Sequence, residues 1–352
     1  MLALLTIDVL FVFEKKCSMM NEKTNKNNNF AEIWEALTEG SKVLMFPHVL
    51  LDGDAIGSCV ALCEGLRNSG YDAYVIIEDK IPQNIELLAE EYIVDIKDYD
   101  IKDYDIKDNE DTISVLVDCG DYTRIPKRKE LCENGKKLVI IDHHKTTQYI
   151  GDCHYIDSQA AAAAEIIFDI LEQNNVEITE KIATALYTGI LTDTGNFQNA
   201  NTTKRTHEIV AKLYDVKEAF RDVNVAVNEN VPFRALKIRA KLTDKIELLA
   251  DGKVAILSIT EDFLREMGCT IEDVESTSVI VRSIQGVEVG AVLKEKDDAV
   301  KVSLRAKTYF DVAKLAQKYG GGGHVKAAGF TSTKSIVETA KLLQDELEET
   351  FK

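Results

Sequence analysis

Histidines and aspartates recur where predicted strands and helices end, a pattern that suits metal-assisted chemistry. The runs KVLMF, TISVLV and KLVII have the apolar character of buried strands, and TALYTGILTD that of a helix; each leads into acidic or imidazole side chains. Parallel strands end at one edge of a sheet, and ligands of open α/β folds bind at that edge. The residues are His48, Asp52, Asp54, Asp118, Asp142, His143, His144 and Asp193.

These residues together predict a site for divalent cations. Taken singly, an aspartate after a strand is usually a helix cap, and a histidine is often structural. A cluster of carboxylates, however, repels itself and loses solvation unless cations neutralise it. Oxygen and imidazole ligands without thiolate favour Mn²⁺, with Mg²⁺ as the alternative. We therefore expect two ions about 3.5–4 Å apart, as in enzymes that carry out in-line displacement at phosphorus.

Strands and helices alternate over residues 30–215, which predicts an α/β domain with a parallel sheet covered on both faces. Apolar runs mark the strands, and apolar residues at helical spacing mark the helices. The predicted strands are Lys42–Phe46, Tyr74–Glu78, Thr112–Val117 and Lys137–Ile141. The predicted helices are Phe30–Thr38, Ala55–Asn68, Ala160–Gln173, Thr179–Leu191 and Thr203–Tyr214.

A second, smaller α+β domain is predicted after residue 245. It begins with the strand KVAILSI and the short helix EDFLREMG, continues with a hairpin that turns near Asp297 and Asp298, and ends with a Gly-rich segment and a helix. We expect the active site in the cleft between the two domains. The predicted division is 1–29 as a disordered or extended start, 30–215 as the first domain, 216–245 as a connector and 246–352 as the second domain.

Composition excludes several classes of protein. The 352 residues include 42 Lys and Arg against 60 Asp and Glu, a formal net charge of −18, which disfavours binding of long nucleic acid through a basic surface. The apolar start MLALLTIDVLFVF is too short to span a bilayer, and no positive charge precedes it as in a signal peptide. Seven cysteines without a Cys-x-x-Cys pair fit a reduced compartment. We expect a cytoplasmic protein without a membrane partner.

One low-complexity segment has no predicted chemical role. Between Asp95 and Asn109 the charged pentad DIKDY DIKDY DIKDN is repeated three times. Such a composition is typical of an exposed loop.

Five ordered motifs carry a family resemblance: HVLLDGDAIGS, VDCGD, IDHHK, LTDTGNF and GGGGHVKAAGF. In this order they resemble the DHH phosphoesterase superfamily with a C-terminal DHH-associated domain, over about residues 30–350. Within it, the chain is most similar to the bifunctional oligoribonucleases that also act as adenosine 3′,5′-bisphosphate (pAp) phosphatases. One departure is the alanine run at 160–164, where relatives often carry Ser or Thr, and this puts a hydroxyl contact to substrate in doubt.

The resemblance implies a role for each candidate residue. Asp118 would bridge the two ions, Asp142 would orient the neighbouring imidazoles, and His144 would face the substrate phosphate. The ligands would be His48, Asp52 and Asp118 for one ion, and Asp54, Asp118, His143 and Asp193 for the other. The substrate would be bound in the second domain by Ser303, Arg305, Gly322, Gly323 and His324. An arginine can grip a terminal phosphate bidentately, and glycines allow its close approach to the backbone.

The resemblance further implies a Mn²⁺-dependent phosphodiesterase that shortens very small RNA oligonucleotides to mononucleotides and also removes a phosphate from pAp. The first alternative is a phosphodiesterase of cyclic dinucleotides or their linear dinucleotide products, which shares every motif. The second is a non-catalytic nucleotide-binding module, which would have lost metal ligands; none is missing here. The expected partners are short RNA oligonucleotides, dinucleotides or pAp, and a homodimer is left open.

Overall fold

The computed structural model describes residues 26–98, 111–274 and 277–351. The chain divides into two compact units between Asn230 and Val231. This division falls within the segment 216–245 that we predicted to be a connector. Residues 1–25, and the pentad repeat from position 99 onward, lie outside the described residues, so the interpretations of these segments stay predictions.

A parallel sheet forms the centre of the first unit. Its strands are β1 (Lys42–Phe46), β2 (Asp72–Ile77), β3 (Ile93–Asp95), β4 (Thr112–Val117), β5 (Lys137–Asp142) and β6 (Cys153–Ile156). In the described residues they have the order β3-β2-β1-β4-β5-β6, and every neighbouring pair is parallel. The order reverses between β1 and β4, which creates the crevice where ligands bind in such folds. The predicted α/β class is confirmed.

Helices cover this sheet unequally, although its strands carry apolar side chains on both faces. Most of them pack against the face that carries Val43, Val115 and Val139, whereas the opposite face has a smaller apolar cluster that includes Leu44 and Leu116. The helices of the unit are α1 (Phe30–Thr38), α2 (Gly53–Asn68), α3 (Lys129–Glu133), α4 (Ala163–Gln173), α5 (Glu180–Asp193), α6 (Lys204–Val216) and α7 (Arg221–Asn224).

Helix α4 begins at Ala163, three residues after the predicted start at Ala160. Ala162, at the cap position, offers no side-chain oxygen to the first amides of the helix. The carboxylate of Asp54 accepts those hydrogen bonds instead, from the amides of Ala163 at 2.6 Å and Ala164 at 2.9 Å. The start of α4 is therefore determined by a residue of α2 that is distant in sequence, which local spacing does not reveal.

A mixed sheet forms the second unit. Its strands are β7 (Glu247–Leu249), β8 (Val254–Ile259), β9 (Val289–Lys296), β10 (Ala299–Ala306), β11 (Gly322–His324) and β12 (Ala327–Ser332). Their order in the described residues is β11-β12-β10-β9-β8-β7, and β8 and β9 are parallel while the other neighbours are antiparallel. Asp297 and Asp298 join β9 to β10 with φ of 51° and 59°, as a two-residue hairpin turn requires. The predicted hairpin is thus confirmed.

The two faces of this second sheet differ in their cover. The helices are α8 (Phe233–Thr243), α9 (Glu261–Met267), α10 (Thr277–Ser283), α11 (Val312–Lys318) and α12 (Ile336–Thr350). One face, with Val302 and Leu304, packs against Leu315 and Leu343 of α11 and α12. The opposite face is covered by α8 to α10 over β8 and β9. Over β10 and β12 that opposite face stays partly exposed. The Gly-rich segment forms the hairpin of β11 and β12 at the margin of this face.

Two further expectations concern the described part of the chain. None of its helices combines the length and apolar character that a bilayer crossing requires. Its six cysteines are all buried and free, in agreement with a structural role for these thiols.

Candidate metal and substrate sites

His48 and Asp118 follow the two strands that flank the switch point. Nε2 of His48 lies 3.3 Å from Oδ2 of Asp118 and 3.6 Å from Oδ2 of Asp52. Nδ1 of His48 donates to the carbonyl of Val49 at 2.7 Å, so that Nε2 is the nitrogen directed at the carboxylates. Asp118 has a φ of 52°, a left-handed conformation that aspartate tolerates better than most residues. The backbone amide of Asp118 donates to Ile141 of β5, which fixes this turn against the sheet.

A second group of side chains surrounds Nε2 of His143. This atom lies 3.4 Å from Oδ1 of Asp118, 3.7 Å from Oδ2 of Asp193 and 3.8 Å from Oδ2 of Asp54. Nδ1 of His143 donates to the carbonyl oxygen of Ala160 at 3.3 Å. A carbonyl oxygen can only accept, so Nδ1 carries the proton and Nε2 faces the three carboxylates.

The shifted pKa values of the histidines and aspartates in these two groups indicate that the groups favour bound positive charge. Burial lowers the pKa of His48 and of His143, but the neighbouring carboxylates outweigh burial and raise each pKa to about 10. Burial and nearby carboxylates raise the pKa of Asp193 to about 6, despite the opposing charge of His143. Burial raises the pKa of Asp54 well above its ordinary value. In the metal-free protein, protons thus neutralise the negative charge of the carboxylates, and divalent cations could neutralise the same charge.

The donor atoms fit divalent cations. Oδ1 of Asp118 is buried and accepts no hydrogen bond from the described residues, which leaves it available as a ligand. The groups contain carboxylate oxygens and imidazole nitrogens without thiolate, a set that suits Mn²⁺ or Mg²⁺. Three groups have donor atoms within 4.8 Å of one another: His48, Asp52 and Asp118; Asp54, His143 and Asp193; and Asp118, His143 and His144. The structure therefore brings all six predicted metal ligands together.

Asp142 is fully buried and orients the imidazole of His144. Its Oδ1 accepts from the amides of His143 and His144 and, at 2.8 Å, from Nδ1 of His144. Thr147 donates its hydroxyl to Oδ2 of Asp142, and a Cβ at position 120 would lie 2.9 Å from that hydroxyl oxygen, so glycine is required there. The hydrogen bond that His144 donates to Asp142 raises the pKa of His144, although burial opposes it. Thr147 was not predicted from the sequence, because no local pattern marks it.

Close packing of α2 against α5 brings Asp54 towards Asp193. A Cβ at Gly57 would overlap the carbonyl oxygen of Ala185, and one at Gly189 would lie 2.9 Å from Oδ1 of Asp54. Glycines at these positions therefore let the helix backbones approach closely. Ser58 also donates its hydroxyl to Oδ1 of Asp54 at 3.0 Å; its i, i+4 spacing from Asp54 is the signal that could have identified it.

Four of the five predicted substrate residues share one face of the second sheet. Arg305 pairs with Ala327, which pairs with His324, and Ser303 pairs with Gly329, which pairs with Gly322. Directly paired residues point to the same face. This is the face that stays partly exposed over β10 and β12. Gly323 points to the opposite face, where its φ of 138° and its approach to Ala328 exclude a side chain.

Arg305 is a partly buried cation without a carboxylate partner among the described residues. Its Nη1 donates to the carbonyl oxygen of Leu304 at 3.0 Å. Burial lowers the pKa of Arg305, and the charge of nearby Arg282 in α10 lowers it further. Gly290 is the cross-strand partner of Arg305. A Cβ at this position would lie 2.7 Å from Val281, so the glycine lets α10 lie close to the sheet. Within the described ranges neither arginine forms an ion pair with a carboxylate, and two neighbouring cations of this kind form a surface suited to an anion. Arg282 was not predicted from the sequence.

Two family models match the chain. Residues 42–190 match the DHH family, N-terminal domain, and residues 251–352 match the DHHA1 domain. A crystal structure of an exopolyphosphatase-related protein from Bacteroides fragilis has the same fold, with a TM-score of 0.81 over 92% of this chain and 96% of that chain at 22% identity.

Named relatives cover most of the chain. The bifunctional oligoribonuclease and PAP phosphatase NrnA of Thermus thermophilus is 31% identical over 86% of this chain and 86% of its own length. A Streptococcus mutans relative with the same two activities in its name is 30% identical over 86% of this chain and 93% of its own length. The cyclic-di-AMP phosphodiesterase PdeA of Listeria monocytogenes is 28% identical over 88% of this chain and 48% of its own length.

Proposed function

The chain belongs to the DHH family and is a hydrolase, and from this premise we propose that it is a metal-dependent phosphodiesterase that degrades very short RNA oligonucleotides to mononucleotides and removes a phosphate from pAp. Relatives named for these two activities align over most of their length. Mn²⁺ is the proposed ion, because imidazoles contribute to each ligand group.

One observation carries the proposal: the two oxygens of Asp118 face different ligand groups. Oδ2 lies 3.3 Å from Nε2 of His48, whereas Oδ1 lies 3.4 Å from Nε2 of His143. A carboxylate in this position could serve as a ligand in both groups. His48 and Asp52 would complete one ligand set, and Asp54, His143 and Asp193 the other.

The chemistry divides between the ions and the protein. When bound, two divalent cations offset the carboxylate charge, activate water and polarise the phosphoryl group. Oδ1 of Asp142 accepts a hydrogen bond from the Nδ1–H of His144, and Nε2 of the same ring is then free to hold a proton for the leaving oxygen. The side chain of His144 is 44% exposed, so a substrate can reach it. His144 is therefore the proposed general acid, and Asp142 its positioning residue.

The positions of Arg305 and Arg282 favour a short phosphorylated substrate. Their charges offer a small anion site on the second unit, and charge-assisted contacts to phosphate are stronger than neutral hydrogen bonds. Ser303, Gly322 and His324, which share the face of Arg305, are proposed to bind the same substrate, and Gly323 is proposed to contribute through its backbone. The net charge of −18 argues against long nucleic acid, whose binding depends on many phosphate contacts.

A substrate panel tests the proposal. The protein with Mn²⁺ would be incubated with pAp, the dinucleotide pApA, an RNA five-mer, a long RNA and a cyclic dinucleotide, and products separated by chromatography. We expect the linear dinucleotide, the five-mer and pAp to be hydrolysed faster than the long RNA. A protein that cleaves none of these short substrates, or prefers the long RNA, would contradict the proposal.

The cyclic-di-AMP phosphodiesterase among the relatives supports a second candidate, hydrolysis of cyclic dinucleotides or their linear products. The same panel separates it from the first. Faster cleavage of the cyclic dinucleotide than of the five-mer, or cleavage of pApA without cleavage of the five-mer and pAp, would favour this second candidate.

A further inference from the structure

The alanine run 160–164 contacts members of one metal-ligand group through backbone atoms alone. The amides of Ala163 and Ala164 donate to the two carboxylate oxygens of Asp54, at 2.6 and 2.9 Å. The carbonyl of Ala160 accepts from Nδ1 of His143 at 3.3 Å. Because the alanine side chains take no part in these hydrogen bonds, alanine is sufficient at these positions to hold the side chains of Asp54 and His143 in place.

Asn201 extends this scaffold to the third ligand, Asp193. Its Nδ2 donates to the carbonyl of Ala161 at 2.8 Å and to the backbone carbonyl of Asp193 at 3.2 Å. Asp193 ends α5, where the last carbonyls have no partner within the helix. Glu165 holds the same alanine from the other side, since its Oε2 accepts from the amide of Ala161 at 3.1 Å. One amide group thus ties the end of α5 to the segment that contacts Asp54 and His143.

We propose that Asn201 is a positioning residue for the ion bound by Asp54, His143 and Asp193, and that it acts through Ala161 and the end of α5. The inference rests on the two-ion site of the proposed function. Without the amide of Asn201, the end of α5 and the alanine segment lose their direct link, and the carboxylate of Asp193 is no longer held relative to Nε2 of His143. Among the described residues no hydrogen bond joins His48, Asp52 or Asp118 to Asn201 or Ala161, and we expect this group to keep its geometry.

Asn199 provides a matched control. Its Nδ2 also donates to the backbone carbonyl of Asp193, at 3.3 Å, but no hydrogen bond joins its side chain to the alanine segment in the described residues. Asn199→Ala therefore removes a contact at the helix end without breaking the link. If Asn201 only capped α5, the two alanine variants would behave alike.

The experiment is a Mn²⁺ titration of the metal-free protein, without substrate, in which electron paramagnetic resonance measures the free ion. We expect wild type and Asn199→Ala to bind two ions with similar affinities. Asn201→Ala should bind one Mn²⁺ ion with unchanged affinity and the other ion with an affinity at least tenfold lower. Its activity on pApA should be low at limiting Mn²⁺ and recover at high Mn²⁺.

A second variant guards against a loss of folding. Asn201→Ser keeps a polar side chain that is too short to reach both carbonyls, and we expect it to show the same selective weakening with a native circular dichroism spectrum. The inference would be overturned if both Asn201 variants kept their Mn²⁺ affinities, or if both ions were weakened equally. It would also be overturned if Asn199→Ala and Asn201→Ala had equal effects, or if the wild-type protein bound fewer than two ions. Two-ion binding by a wild type that cleaves no substrate of the panel would instead overturn the proposed function.

Discussion

Nε2 of His48 lies 3.3 Å from Oδ2 of Asp118, at the point where the strand order of the first sheet reverses. Strands β1 and β4 are hydrogen-bonded neighbours, but the chain leaves them towards opposite sides of the sheet. The crevice between the two exits accommodates both side chains, and the left-handed turn at Asp118 directs its carboxylate into it. This relationship makes Asp118 the residue whose loss has the largest expected effect.

Asp118→Asn should leave the protein folded and reduce the hydrolysis rate to less than a tenth, a loss above about 1.4 kcal/mol. The amide keeps the size of the side chain but removes the charge that both ions need. Rates with pApA and Mn²⁺ would be compared with those of Asp98→Asn, the same change at an exposed position of the same unit. A folded Asp118→Asn protein that keeps more than a tenth of the rate would refute the two-ion assignment.

Gly57→Ala should destabilise the first unit, with a loss of about 1–3 kcal/mol in the free energy of unfolding. The added methyl group would overlap the backbone carbonyl of Ala185, which cannot move without displacing α5. Gly65→Ala is the control on the same helix, because its methyl group meets Leu171, whose flexible side chain can rotate away. Urea denaturation measures both. Equal stabilities of the two variants would show that the close approach of α2 and α5 is not required.

Asp142→Asn should lower the pKa of His144 in the metal-free protein, because the hydrogen bond from Asp142 is the main cause of its elevation. A histidine whose pKa is raised in the folded protein stabilises the fold at pH values below its pKa in the unfolded chain, about 6.5. This stabilisation is lost as the pH rises through the pKa of the folded protein. The stability difference between wild type and Asp142→Asn should therefore shrink with rising pH over that interval. Histidine titration by nuclear magnetic resonance checks the shift; an unchanged pKa of His144 would contradict it.

Arg305→Gln should impair substrates with a terminal phosphate and spare a simple chromogenic phosphodiester that lacks one. The loss of a charge-assisted contact costs about 1.5–3 kcal/mol, roughly 10–150-fold in kcat/KM. Arg282→Gln should show a smaller loss with the same substrate dependence. The control is Arg265→Gln, whose side chain is 76% exposed and pairs with Asp262. Equal losses on both substrates would place Arg305 in folding instead of phosphate binding.

Local patterns in the sequence determined the fold class and most long elements. The apolar runs of β1 and β4 have the predicted bounds, because a buried strand of a parallel sheet is apolar throughout and polar residues end it abruptly. The turn at Asp297 and Asp298 was predictable because aspartate tolerates the positive φ that a short hairpin needs. Short strands such as β3 and β6 were missed, since three or four residues carry too little periodicity to detect.

The chemical identity of the candidate metal ligands was also predictable, because each of them lies where a predicted strand ends or a predicted helix begins or ends. The distances between these side chains were decided by the tertiary structure alone. The two oxygens of Asp118 face different histidines as a result of its backbone conformation and of the register of β4 between β1 and β5. Neither property leaves a trace in residue spacing.

The supporting residues depend on tertiary structure still more strongly. Asn201 contacts Ala161, and Arg282 approaches Arg305, across long stretches of chain, because α5 and α10 pack where glycines allow close approach. A sequence determines which groups can donate a hydrogen bond or carry a charge. Which partner each group meets is determined by the packing of helices on a sheet, since that packing alone sets distances between residues that are remote in the chain.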